Sequence, residues 1–398
     1  MDTYQSAEMM LKRFTPMRPV VALRPHSVKR AAHWFLQHFA GKVLYAIKAN
    51  NSQPIIEALY DAGIRCFDVA SLSEIEQVCS LNDVDIYIMN PVKSRDLIAK
   101  AYFDFGVRNF ALDCEAELEK INEVTDFAKD LNLFVRIACD NSTAHVHLNR
   151  KFGIAMENVA SLLLQTRRYA QRLGLTFHIG SQAMVPSCYG HVMDNISALI
   201  SHSGVLPDSI DIGGGFPSAY ANMTPPALDQ YMLEIERAFE RMNVVETCEL
   251  LCEPGRALVA EAVSAIVQVD LRKENFLYIN DGAYGLLYDA AHYDFVHPVR
   301  KIDSNTVYST HKPFSFYGPT CDSADFMPGP YLLPDNIGEG DFIEIGQLGA
   351  YAEVFRTQFN GYGQYDYVQL LDEPMLSLYQ PENEKVPEYS VSANEEVS

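Results

Sequence analysis

From residue 43 onward the chain repeats one unit: an apolar run of strand length, a polar break, and an amphipathic segment of about 10 to 18 residues. The apolar runs fall at 43–47, 66–69, 86–89, 109–112, 133–138, 175–179, 209–212 and 249–252, eight in all. Helical spacing fills gaps between them, as at 54–62, 73–81, 115–132, 159–173 and 228–242. Regular alternation predicts a parallel sheet, and eight repeats predict that it closes into a (β/α)8 barrel, an α/β fold; a doubly wound open sheet is the alternative.

After Glu253-Pro254-Gly255-Arg256 the texture changes. Strand patterns follow closely at 263–271, 276–280, 306–309, 342–345 and 367–370, with breaks at Gly318-Pro319, Pro328-Gly329-Pro330 and Gly338-Glu339-Gly340. That spacing predicts an all-β second domain. A lone strand pattern at 18–23 is suited to join its sheet. The expected division is a barrel over 24–256, a β domain of 1–23 with 257–380, and a segment 381–398 too rich in glutamate to pack.

Composition narrows the class. A chain of 398 residues, 48% hydrophobic, exceeds the size at which single cores stop growing, so two domains are expected. Its formal charge of −21 argues against nucleic acid and suits a cationic small molecule. The eight cysteines are scattered without a CxxC pair, which fits reduced thiols and no metal site. No apolar span of membrane length occurs, so a soluble cytoplasmic protein is expected.

In such a barrel the chemistry gathers at the C-terminal ends of the strands. Those ends carry Lys48, Asp68, Asn90, Asp113, Arg136, His178 with Ser181, Gly213-Gly214-Gly215, and Glu253. Lys48 ends a β-branched and aromatic run, where desolvation would lower its pKa and ready it to attack a carbonyl; a lysine snorkelling from a strand end is the plainer reading. The glycines after the seventh strand, with Gly255 and Arg256 after the eighth, suit a phosphate, although a tight turn needs glycines too. Glu253, if buried, needs a cationic partner, for which a protonated ring nitrogen would serve. His178 can stack on a flat ring or simply be a satisfied core histidine. Together these groups describe pyridoxal 5′-phosphate.

These residues carry a resemblance. Tyr45-Ala46-Ile47-Lys48-Ala49-Asn50, Phe67-Asp68-Val69-Ala70-Ser71, Lys151-Phe152-Gly153, His178-Ile179-Gly180-Ser181-Gln182, Asp211-Ile212-Gly213-Gly214-Gly215-Phe216-Pro217, Glu253-Pro254-Gly255-Arg256, Gly318-Pro319-Thr320-Cys321-Asp322-Ser323 and Gly349-Ala350-Tyr351 follow in order along nearly the whole chain. The chain resembles the barrel-type (fold type III) pyridoxal-phosphate decarboxylases of basic amino acids, a family that includes ornithine and diaminopimelate decarboxylases. The resemblance implies that Lys48 forms the internal aldimine, His178 stacks on the ring and Glu253 pairs with its nitrogen. It implies that Ser181, Gly213, Gly214, Gly215, Gly255, Arg256 and Tyr351 hold the phosphate, with Asp68 and Arg136 beside the lysine. It further implies a homodimer in which Cys321 and Asp322 reach the partner's site, Cys321 as proton donor to the α-carbon.

For the substrate, Tyr288-Asp289 matches the position that binds the distal amine in ornithine decarboxylases, and Asp322 points away from the glutamate that follows this cysteine in diaminopimelate enzymes. The resemblance therefore favours L-ornithine, with putrescine as product. A dual lysine and ornithine enzyme comes next, since one methylene is worth only about 1 to 3 kcal/mol. Diaminopimelate decarboxylase, a racemase and a catalytically dead relative are further alternatives. The short stretch 142–152, where relatives carry a longer loop, suggests a bacterial-style form and argues against control by an inhibitory protein.

Overall fold

A computed structural model of the chain describes residues 1–140, 142, 144–148, 151–244, 246–302 and 310–379. The eight apolar runs become parallel strands Lys42–Ala46, Cys66–Asp68, Asp85–Ile88, Asn109–Leu112, Asn132–Arg136, Arg172–Thr176, Ser209–Asp211 and Glu249–Cys252. The last pairs with the first, Leu251 opposite Lys42, so the sheet is a closed barrel rather than an open one.

The two-residue period of a strand decides what lies inside the ring. Leu44, Cys66, Tyr87, Ala111, Phe134 and Leu251 share one buried cluster, while Val43, Tyr45, Phe67, Ile86, Phe110 and Leu133 belong to the larger core that includes the helices. Two residues beyond the inner set stand Asp68, Asp113, Arg136 and Glu253. The same period that fills the barrel floor with apolar groups thus sets ionisable ones at its mouth. Gly174 shows how tightly that floor is filled, because a Cβ there would collide with the Phe134 ring and the Ser209 hydroxyl.

Local signals set several helix starts. Pro25 and Pro54 stand in the first turns of Pro25–His38 and Gln53–Asp61, where a missing N–H costs nothing. Ser71 caps Leu72–Val78 by accepting from the Glu74 N–H at 3.3 Å, and the Glu74 carboxylate accepts from the Ala70 N–H at 2.6 Å. The helix expected over 115–132 stops at Val124. There the Thr125 hydroxyl donates back to the Ile121 carbonyl at 2.8 Å, and Asp126 and Phe127 take φ of 54° and 55°. The helices Arg95–Phe103 and Ser187–Ser203 complete further crossovers.

A second, nine-stranded sheet lies beside the barrel. Val20–Leu23, wholly buried, is parallel to Asp366–Leu370 and antiparallel to Val263–Lys273. Val299–Ile302, His311–Tyr317 and Phe326–Pro334 are strands the apolar pattern passes over. Pro313, Pro328 and Pro330 interrupt the last two, and Phe326–Pro334 ends the strand order, where absent N–H donors are tolerated. The strand expected at 306–309 and the acidic segment 381–398 lie outside the described residues. At the junction, buried Arg24 donates to Glu344 at 2.7 Å, Asp372 at 2.8 Å and Ser264 at 2.5 Å, so its charge is fully engaged. Among the described residues no helix is long and apolar enough to cross a membrane.

Candidate active site

The first barrel strand runs into a single 3-10 turn, Ile47–Ala49, which carries Lys48. That turn is held from two sides. The Tyr45 hydroxyl donates to the Asn50 carbonyl at 2.7 Å, and the Tyr351 N–H donates to the Ala49 carbonyl at 2.7 Å. Lys48 Nζ donates to Asp68 Oδ2 at 2.7 Å, while Asp68 Oδ1 accepts from the Met89 N–H at 3.3 Å. Asp68 is buried, but 47% of the Lys48 side chain remains exposed in the open mouth. The lowered lysine pKa expected from desolvation does not occur. Surrounding protein does push it down, yet the adjacent Asp68 carboxylate outweighs that and holds the ammonium above the usual lysine range.

Glu253 and Asp211 follow from adjacent strands, eight and seven. Both are buried and each perturbs the other; Asp211 Oδ1 accepts from the Gly213 N–H at 2.8 Å, and Asp211 Oδ2 has no hydrogen-bond partner among the described residues. Burial first, then repulsion from Asp211 and Asp68, pushes Glu253 well above the ordinary carboxylate range despite the Lys48 ammonium, so it holds a proton. Its Oε1 is buried with no hydrogen-bond partner among the described residues. Asp211 was visible in the glycine motif, two residues before Gly213 on the inner face, but nothing local signalled its pairing.

His178 stands just beyond the sixth strand, with Nδ1 accepting from the Gly180 N–H at 3.0 Å. Burial, with the positive charges of Arg136 and Lys48, keeps the ring neutral, its pKa well below the usual histidine value. The glycine run passes close by. A Cβ on Gly214 would stand 2.7 Å from the Glu253 carbonyl oxygen and 3.1 Å from His178 Nε2. Its flanking residues Gly213 and Gly215 take φ of 68° and 106°, open to glycine without strain. Gly255 packs against the lysine turn, where a Cβ would come within 3.0 Å of the Ala49 side chain.

Arg256 is the hub of the next cluster. It is buried, and donates from Nε to the Ser181 hydroxyl at 3.4 Å and from Nη1 to the Tyr220 hydroxyl at 2.7 Å. Its Nη2 pairs with Asp289 at 3.0 Å, and the rings of Phe295 and Tyr351 lie 4.5 and 5.0 Å from the guanidinium carbon. The structure thus brings together Ser181, Arg256, Asp289 and Tyr351. Tyr220, Phe295 and His297, which line the same cluster, went unread because they come from loops without periodic spacing. Tyr288 turns elsewhere, stacking on His292 at 4.2 Å.

Cys321 and Asp322 lie apart, in the connection between His311–Tyr317 and Phe326–Pro334. Cys321 is exposed, its N–H donating to Asn360 Oδ1 at 3.1 Å. Asp322 accepts from the Tyr284 hydroxyl at 2.5 Å and the Ala324 N–H at 3.0 Å, which hold its carboxyl below the usual range. Among the described residues no hydrogen bond joins either to the lysine, histidine or arginine clusters. Buried Asp325 fixes this loop, accepting from the Ala283 N–H at 2.7 Å and the Thr320 hydroxyl at 2.7 Å. Among the described residues no acid, histidine and cysteine cluster suits a metal ion.

A lysine at the barrel mouth, a neutral imidazole, an orphaned buried carboxyl oxygen and glycine turns by a buried arginine fit pyridoxal 5′-phosphate. Comparison with known proteins agrees. Residues 26–260 match the family described as pyridoxal-dependent decarboxylase, pyridoxal binding domain. The chain is 30% identical to the ornithine decarboxylase of Panagrellus redivivus over 361 residues, covering 83% of this chain and 80% of that one. Among solved structures, the arginine decarboxylase of Paramecium bursaria Chlorella virus bound to agmatine superposes with a TM-score of 0.80 at 25% identity, over 91% of this chain and 98% of that one. The lysine/ornithine decarboxylase of Vibrio vulnificus complexed with putrescine gives 0.78 at 26% identity, over 92% and 99%.

Proposed function

Because this chain belongs to the pyridoxal-dependent decarboxylases, with pyridoxal 5′-phosphate as its cofactor, we propose that it decarboxylates L-ornithine to putrescine and carbon dioxide. The observation that carries the substrate is the buried carboxylate of Asp289 beside the Arg256 cluster, at the position matched to the distal-amine acid. Asp322 is the second acid of this reading. Two carboxylates suit an ammonium at the far end of the substrate.

In this reading Lys48 would bind the cofactor's aldehyde, and His178, neutral and fixed by the Gly180 N–H, would face its ring. Ser181, Gly213, Gly214, Gly215, Gly255, Arg256 and Tyr351 hold the phosphate. When bound, the cofactor supplies a carbonyl for the substrate amine and a ring that accepts the electrons left by the departing carboxylate. Glu253 keeps a proton at the ring nitrogen through its orphaned Oε1. Asp68 orients Lys48 and stabilises its ammonium when the lysine is displaced, with Arg136 nearby. Cys321, exposed on its loop, delivers a proton to the α-carbon in the partner's site, so the working unit is a homodimer, and the enzyme is cytoplasmic.

Lysine is the second substrate. Likeness to an enzyme whose structures carry putrescine and cadaverine favours it, and one methylene discriminates only weakly. The reading is tested by incubating cofactor-loaded protein with carboxyl-labelled L-ornithine. Labelled carbon dioxide released one for one with putrescine supports it, and release without putrescine sinks it.

A further inference from the structure

The ion pair between Arg256 and Asp289 joins two sites that the proposed function keeps separate. Arg256 belongs to the phosphate end of the cofactor, and Asp289 to the distal ammonium of the substrate. Both are buried, and they lie 3.0 Å apart. Arg256 directs all three nitrogens at protein, to Ser181, Tyr220 and Asp289. A guanidinium carries five N–H donors, so some remain for an anion.

The charge balance around this pair sets its behaviour. Ser181 and Tyr220 are neutral partners, and burial pushes the Tyr220 phenol up. His297, whose ring centroid stands 5.4 Å from that of Tyr220, is kept neutral by burial, its pKa about 4, with Nδ1 against the Gly346 carbonyl at 3.0 Å. Without a phosphate, Arg256 and Asp289 therefore cancel. A cationic ligand arriving at Asp289 would meet an acid already neutralised and a second cation beside it. A phosphate at Arg256 takes over that positive charge and leaves Asp289 an uncompensated anion, in surroundings dry enough for the change to be felt.

We infer that the phosphate of the cofactor switches on the subsite for the substrate's distal ammonium, acting through the Arg256–Asp289 ion pair. This rests on the reading of Asp289 as the acid that binds the distal amine. Cofactor and substrate then bind in order, and the unloaded protein does not sequester diamines. Because coupling between two sites is reciprocal, a bound diamine tightens the hold on the phosphate by the same factor.

The test uses calorimetry on cofactor-free protein with pyridoxine 5′-phosphate or pyridoxine, which lack the aldehyde and so cannot bond covalently to an amine or to Lys48. Putrescine, cadaverine and agmatine are titrated into each state. The expected result is diamine binding about tenfold tighter or more with pyridoxine 5′-phosphate than with pyridoxine, and Asp289→Asn, checked by circular dichroism, abolishing that ratio. Asp322→Asn weakens binding in both states and leaves the ratio in place. Equal affinities in the two states of the unaltered protein overturn the coupling alone, whatever the variants do. No binding of any amine in either state overturns the assignment of Asp289 to the distal amine and this inference with it.

Discussion

Glu253 and Asp211 come together from neighbouring barrel strands, two buried acids each left with one oxygen that has no hydrogen-bond partner among the described residues. Such a pair is unfavourable with both groups ionised, so it stores a proton until a cation arrives. Glu253→Gln preserves the shape but removes the charge that holds a proton on the ring nitrogen. Cofactor should still bind, seen by its visible absorbance, while decarboxylation falls by about a hundredfold or more. Asp211→Asn, one step removed, should cost less. An unchanged rate in Glu253→Gln would contradict the role given to the pair.

Gly214 separates the imidazole of His178 from the Glu253 backbone. Gly214→Ala sets a methyl 2.7 Å from a backbone oxygen, which cannot swing aside as a flexible side chain can. Cofactor affinity, read from quenching of intrinsic fluorescence, should drop by about tenfold or more, which corresponds to roughly 1.4 kcal/mol. Affinity equal to that of the unaltered protein would mean that the glycine turn does not border the cofactor.

Lys48 and Cys321 share no contact within one chain, so the proposed chemistry requires two. As pure preparations, Lys48→Ala should be inactive, and Cys321→Ala should release carbon dioxide but form little or no putrescine. After subunit exchange the mixture should regain activity, since a mixed dimer holds one site with both residues intact. Exchange verified by mass spectrometry without recovered activity would place both residues in one chain's site.

Asp281 is buried under the loop that carries Cys321, accepting from the Tyr365 hydroxyl at 2.9 Å and the Leu286 N–H at 3.2 Å. Burial pushes its carboxyl up to about 7, against 3.8 for the unperturbed side chain. The folded state therefore binds a proton that the unfolded state releases, and this stabilisation is complete below about pH 4 and lost as pH rises through about 7. Asp281→Asn cannot ionise and should flatten the decline of the urea midpoint across that window. Glu261, also raised to about 7 by burial, and the buried Glu253 contribute to the remaining slope. A decline as steep as in the unaltered protein would show that Asp281 does not take up the proton.

The barrel was legible because each of its strands is a short apolar run between polar breaks, and a period of two carries Asp68, Asp113, Arg136 and Glu253 to the mouth once Leu44, Cys66, Ala111, Phe134 and Leu251 fill the floor. Helix ends were less so. Phe127 and Ala128 continue the apolar rhythm past Val124, and only the positive φ at Asp126 and Phe127 stops it. Strands containing Pro313, Pro328 and Pro330 were hidden by residues that usually break them. Electrostatics were least legible, because they depend on distance in space. Lys48 reads as desolvated until Asp68 arrives from another strand, and Asp289 reads as open until Arg256 meets it.

The central claim is that the chain decarboxylates a basic amino acid, ornithine foremost. The measurement that tests it most directly is mass spectrometry of the products when cofactor-loaded protein is given L-ornithine, L-lysine, L-arginine and meso-diaminopimelate in competition. Putrescine as the dominant amine, with cadaverine a minor product, is the predicted result. Agmatine or cadaverine as the main product, loss of meso-diaminopimelate ahead of L-ornithine, or no amine at all from protein that has retained its cofactor, would contradict it.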